Sequence, residues 1–333
     1  MRLPKLIVFD MDGVIVDVSR SYREAARKTA RRFFRGARGF ERLPDPLFPL
    51  EDLAGLKQSG GLNNDWELTF QAISLLFARV KVPPAPEAPH GRSAYEETIR
   101  LCDVSGLADY LASEPAPLTA LLAEHGRRKE PFVGGFFQGD IGTGNIIKQI
   151  FQEIYLGRDL FTAVYGRETR FAAEEGLIHE ESLLIETAVI EALSRKHLLA
   201  IATGRPRVEA DFPLDRFSLR PYFQKIITLD DCTREEERLF REQGRRISLG
   251  KPNPFMLDLI PRLIGETFAG SYYLGDMPDD MLAAASSQTG YRGIGVVSPA
   301  PGQEAVRKAL LNAGADYLLD DYADLPEIID GPI

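Results

Sequence analysis

A four-residue apolar run near the start of the chain, Leu6-Ile7-Val8-Phe9, ends in two carboxylates, Asp10 and Asp12, with Gly13 directly behind them. An unbroken apolar run of this kind reads as a strand buried on both faces, and the glycine punctuates it. Acids at the carboxyl end of such a strand suit the centre of an open α/β sheet, where ligands bind beyond the strand ends. The strand has no candidate partner nearby. Further candidates come only after His197, at Leu198–Ala202, Lys225–Leu229, Ser271–Leu274, Gly293–Val297 and, more weakly, Tyr317–Leu319, with helical sequence between them. That alternation predicts a doubly wound parallel sheet of the α/β class.

The intervening sequence has a different period. From Ser19, the residues Tyr22, Ala25, Ala26, Thr29, Ala30, Phe33 and Phe34 recur at helical spacing. Further helices are predicted near 66–80, 94–111, 117–125, 145–156 and 182–196, separated by a Pro-rich loop at 82–86 and a Gly-rich stretch at 134–144. No β alternation is evident there. Residues 18–196 are therefore expected to form an all-α insertion, and residues 1–17 with 197–333 the α/β domain.

Composition narrows the function. Formal charge is 40 basic minus 49 acidic residues, or −9. Such a chain is a poor binder of nucleic acid or of anionic membrane, which reward positive surfaces. An anionic substrate must then be held by local cations or a metal. Cys102 and Cys232 lack metal-ligand spacing, and His90, His125, His179 and His197 are scattered, which argues against a zinc site. The start of the chain shows no secretory pattern, and no apolar run is long enough to span a bilayer. A cytoplasmic location is the expectation.

Four short segments fall at or just beyond predicted strand ends. In Asp10-Met11-Asp12-Gly13-Val14, one carboxylate can attack phosphorus while the other serves as acid and base. Alone, this is also readable as a solvated acidic turn. Thr203-Gly204-Arg205 offers donors to phosphate oxygens, or merely a helix cap. Lys251 can balance developing charge, although most lysines are surface residues. Gly275-Asp276-Met277-Pro278-Asp279-Asp280 gathers acids that suit magnesium, or that simply favour a helix N-terminus.

Taken in order, Asp-x-Asp-Gly, Thr-Gly, Lys and Gly-Asp-x-x-x-Asp resemble the haloacid dehalogenase (HAD) superfamily of hydrolases. The segments 6–14 and 273–285 carry the likeness most strongly, with 293–297 close behind. The inserted helical module resembles the cap of phosphoglycolate-phosphatase-like members, which implies a Rossmann-like core with a large inserted all-α cap domain. The resemblance implies that Asp10 is the nucleophile that becomes an aspartyl phosphate and that Asp12 is the general acid and base. It assigns the phosphoryl oxygens to Thr203, with Gly204 nearby, and orientation and charge neutralisation to Lys251; Arg205, next in the chain, is a further candidate for the phosphate. Magnesium would be held by Asp10, Asp276, the backbone carbonyl of Asp12 and, in support, Asp280. Dehalogenating and phosphonate-cleaving relatives lack the equivalent of Asp12, so its presence favours a phosphatase. A sugar-phosphate mutase and a non-catalytic binding protein on the same scaffold are the alternatives.

The insertion is expected to close over the site and to select among small phosphorylated metabolites. Lys57, Asn63 and Asn64, beside Trp66, form the candidate specificity loop, otherwise a turn between helices. Gly134–Gly144 fits neither a P-loop nor a dinucleotide fingerprint and reads as a cap loop. Residues 19–42 carry nine basic residues against two acids. They form a solvated face, or a docking surface for an acidic partner or for a second protomer in a homodimer.

Overall fold

The computed structural model describes residues 3–58, 65–82, 91–172, 175–297 and 303–331. The chain divides into two compact units, residues 1–17 with 182–333, and residues 18–181.

The first unit is built on a six-stranded sheet. In chain order its strands are β1 (Leu6–Phe9), β4 (Leu198–Ala202), β5 (Lys225–Ile227), β6 (Ser271–Gly275), β7 (Arg292–Val296) and β8 (Tyr317–Leu319). They lie in the spatial order β5-β4-β1-β6-β7-β8, all parallel. The first strand sits at the centre, as its apolar run requires: all four of its residues are fully buried, and Phe9 registers with Ile201 on one side and Leu274 on the other. Strands sandwiched on both faces are expected to read as continuous apolar runs, and those of β4 and β6 are likewise buried throughout.

A two-residue antiparallel ribbon, β2 (Val16–Asp17) with β3 (Ser182–Leu183), also belongs to this unit. It corrects the expected boundary. Residues 182–196 do not form one helix of the insertion. They form β3 and then the helix Thr187–Ser194, which packs against β4. The second crossing between units therefore falls at 181/182 and not at 196/197.

The second unit is almost wholly helical. Its first helix, Tyr22–Phe33, packs against Asp65–Leu76 and Ile146–Tyr165. The seven positions predicted to form its apolar stripe are all buried. The predicted helix 94–111 is in fact two, Gly91–Leu101 and Ser105–Ser113, because the backbone between them bridges to Arg38 and Lys81. Gly134–Gly144 is a packed turn: Phe136 is fully buried among Phe33, Tyr95 and Phe132. Among the described residues no helix is long and apolar enough to cross a membrane. Both cysteines are free and buried, and burial pushes their thiols up, to about 11 for Cys102 and about 12 for Cys232, as inert thiols require.

Candidate active site

The register of β1 with β4 and β6 sets three chain segments side by side at the carboxyl end of the sheet. Asp10 follows β1 and donates its N–H to the carbonyl of Leu274 at 2.8 Å. Thr203 follows β4 and donates its own to Ile227 at 3.0 Å. Asp276 follows β6 directly.

Beyond Asp10 the chain turns tightly. The carbonyl of Met11 accepts the N–H groups of Ile15 and Val16, both at 2.9 Å. Gly13 within the turn has φ +72°, and a Cβ there would lie 2.2 Å from Oδ2 of Asp276. Glycine is required on both counts, since L-residues avoid this φ and no side chain fits. Gly13→Ala is expected to cost about 1–3 kcal/mol of stability and to displace Asp276. Thermal melting, with metal binding measured by calorimetry, checks both effects.

Lys251 is the hub of the site. Its Nζ lies 2.9 Å from Oδ1 of Asp10, 2.7 Å from Oδ1 of Asp280 and 3.1 Å from the Tyr273 hydroxyl. Burial opposes its charge, but Asp10 and Asp280 outweigh burial and hold the ammonium well above its ordinary range. Asp280 is 1% exposed and fully engaged. Its Oδ1 also accepts the Tyr273 hydroxyl at 2.9 Å, and its Oδ2 accepts the Met277 N–H at 3.0 Å. Burial pushes the Asp10 carboxyl up to about 8; Lys251 pulls it back, while Asp280, Asp12 and Asp276 add to the rise. Asp279 is raised too, first by burial and then by Asp280.

Asp10, Asp276 and Asp280 each present a carboxylate oxygen within 4.8 Å of the others. Three hard oxygen donors, one of them raised by burial and further by its acidic neighbours, fit a hard divalent cation. The carboxylate of Asp12 stands outside this group. Its Oδ1 accepts a hydrogen bond from Nε of Arg205 at 2.6 Å.

Arg205 itself departs from expectation. Its side chain is 1% exposed, and Nη1 donates to the carbonyl of Glu209 at 3.1 Å. The guanidinium is bound to protein groups that include the carboxylate of Asp12 and the carbonyl of Glu209. Thr203 is buried, its Oγ1 accepting the Arg205 N–H at 3.2 Å, and a Cβ at Gly204 would meet open space. Tyr273 was not anticipated, although a tyrosine inside a buried strand signals a hydroxyl that needs a partner. In the helical unit, Lys57 pairs with Asp65 at 3.2 Å, while Asn63 and Asn64 lie outside the described residues. Trp66 lies under Nζ of Lys148, 4.4 Å from its ring centroid.

Residues 4–288 match the family model of the haloacid dehalogenase-like hydrolases. The chain belongs to this family. The imidazoleglycerol-phosphate dehydratase of Phytophthora nicotianae is 24% identical to this HAD-like hydrolase over 295 residues, which are 88% of this chain and 43% of that protein. The chain thus spans less than half the length of this relative. Among solved structures, a Northeast Structural Genomics Consortium target superposes with a TM-score of 0.63 at 19% identity, covering 98% of both chains. Phosphatase Tt82 from Thermococcus thioreducens gives 0.50 at 21% identity, over 92% of this chain and 99% of its own. At these identities the likeness is one of fold.

Proposed function

We propose that this HAD-like hydrolase is a magnesium-dependent phosphatase that cleaves a small-molecule phosphate monoester through an aspartyl phosphate on Asp10. The observation that carries the reading is the ammonium of Lys251 held between Asp10 and Asp280, with Asp276 completing the acidic group.

A carboxylate and a phosphate monoester repel each other, and a magnesium ion bound by Asp10, Asp276 and Asp280 would supply the positive charge that offsets this repulsion. An Asp10 oxygen attacks phosphorus, forming one O–P bond as the ester O–P bond breaks. Asp12 gives its proton to the departing alkoxide. The hydroxyl of Thr203 and the N–H of Gly204 donate to phosphoryl oxygens, and Lys251 balances their charge. Asp12 then takes a proton from the water that attacks phosphorus, and Asp10 leaves with the inorganic phosphate freed. A mutase would share the first half of this sequence but would return the phosphoryl group to a sugar.

The test is release of phosphate from p-nitrophenyl phosphate. Turnover is expected with magnesium, loss to background in EDTA, and restoration when magnesium is returned. Well-folded protein that is inactive under every condition would leave a binding role in its place. Turnover that requires a bisphosphate activator would indicate the mutase.

Within the phosphatase reading, one observation favours an imidazole-bearing substrate: the matched segment is part of a relative named for an imidazole phosphate. In a panel of phosphoglycolate, sugar phosphates, nucleotides and histidinol phosphate, the last is expected to give the highest kcat/KM.

A further inference from the structure

The basic stretch 19–42 is sorted by the fold. Arg20 pairs with Glu180, Arg27 with Glu24, Arg31 with Asp45 and Arg42 with Asp109. The side chains of Lys28, Arg32 and Arg35 have no ionic or hydrogen-bonding partner among the described residues, and Nε of Arg32 is buried in that state. Lys28 and Arg32 stand one turn apart on the helix Tyr22–Phe33, where like charges oppose each other, Arg35 follows in the turn after its C-cap, and all three line a cleft of about 1020 Å³.

Arg170, whose side chain also lacks a partner among the described residues, completes the basic lining. Its position is enforced from beneath. Glu153, fully buried, accepts the backbone N–H groups of Arg170, Phe171 and Ala172 at 2.7, 2.5 and 3.1 Å, and the side-chain amide of Gln149 at 2.9 Å. That carboxylate is saturated and unavailable to the cations. Of the other acids lining the cleft, Asp45 is taken by Arg31, while Glu175 is 80% exposed beside His179. Apart from Glu153, Glu41 and Glu175 are the lining carboxylates with no arginine or lysine partner among the described residues, two against the four cations, so positive charge remains in excess.

An overall acidic protein that concentrates four unpaired cations in one cleft has built a local anion site. Guanidinium forks match phosphate oxygens two at a time. Lys28 and Arg32 are separated by roughly 6 Å at helical rise, and Arg35 lies beyond the helix end, so the cations are spread farther than one phosphate can reach. We propose that this cleft binds a small molecule carrying two or more phosphoryl groups. Every lining residue lies between Lys28 and Leu177, within the helical unit, so the cleft shares no residue with the site at Asp10.

Calorimetric titration of inorganic pyrophosphate and of inorganic phosphate into full-length Asp10→Asn protein, in EDTA and 150 mM salt, tests this. Pyrophosphate is expected to bind saturably, one per chain, and about tenfold tighter than phosphate. Arg32→Ala and Arg35→Ala in the same background are each expected to weaken it about tenfold or more, the effect of losing a charge-assisted hydrogen bond. Arg35 is exposed, so its removal leaves packing intact, and far-UV circular dichroism confirms the fold of each variant. Thr203→Ala, which alters the site at the sheet, should leave the affinity unchanged. Absence of saturable binding, indifference to both arginine substitutions, or loss on Thr203→Ala instead would overturn the proposal.

Discussion

Asp10→Asn is expected to lower turnover of p-nitrophenyl phosphate by at least about four orders of magnitude, and to leave the protein as stable as before or more so. An amide cannot attack phosphorus, so the covalent route closes. The stability side follows from burial first, and from acidic neighbours second. Asp10 is buried beside Asp280, Asp12 and Asp276, with a single ammonium among them, and its carboxyl is pushed from an ordinary 3.8 to about 8. Between those two values the folded chain retains a proton that the unfolded chain has lost. Without a cation in the site, raising the pH across this window therefore destabilises the native state, by an amount on the order of a few kcal/mol. Asparagine removes that linkage. In EDTA, the Tm of the variant minus that of the wild type should grow from pH 5 to pH 8. A constant difference would remove the burial argument, and turnover within tenfold of wild type would remove Asp10 from the chemistry.

Much of this site is legible in the sequence. The run Leu6–Phe9 can only be a strand buried on both faces, and its parallel neighbours were identifiable because they too are apolar throughout. Strand order then places Asp10, Thr203 and Asp276 together, since ligands gather at the carboxyl ends of such strands. What was hidden depends on partners remote in sequence or on elements too short to carry a period. The ribbon of β2 and β3 has two residues per strand, so no alternation marked the true crossing at 181/182. The break at 102–104 comes from backbone bridges to Arg38 and Lys81, which a helical pattern cannot reveal. The hydroxyl of Tyr273 gains its meaning only when Lys251 and Asp280 arrive beside it.

Removal of Arg205 should be the most informative substitution after that of Asp10. Following Thr203 and Gly204, an arginine reads as a phosphate ligand, and a phosphate ligand would reveal itself mainly in KM. The observed guanidinium is buried and bonded to the carboxylate of Asp12 and the carbonyl of Glu209. A residue so placed acts through Asp12, whose aim it fixes by a bond of 2.6 Å. Arg205→Ala is therefore expected to lower kcat about 100-fold or more, the scale of losing a positioned acid–base group, with KM changed less than threefold. Stability should fall as well. Breaking a buried ion pair costs about 3–5 kcal/mol, and Asp12, at 28% side-chain exposure, can recover part of its solvation from water, so about 2–3 kcal/mol is expected. Arg205→Lys separates charge from geometry. It keeps the cation but loses the planar fork that reaches Asp12 and the Glu209 carbonyl together, and should recover stability more fully than kcat. A large rise in KM at unchanged kcat in either variant would return Arg205 to the substrate phosphate and leave Asp12 to be oriented by other means.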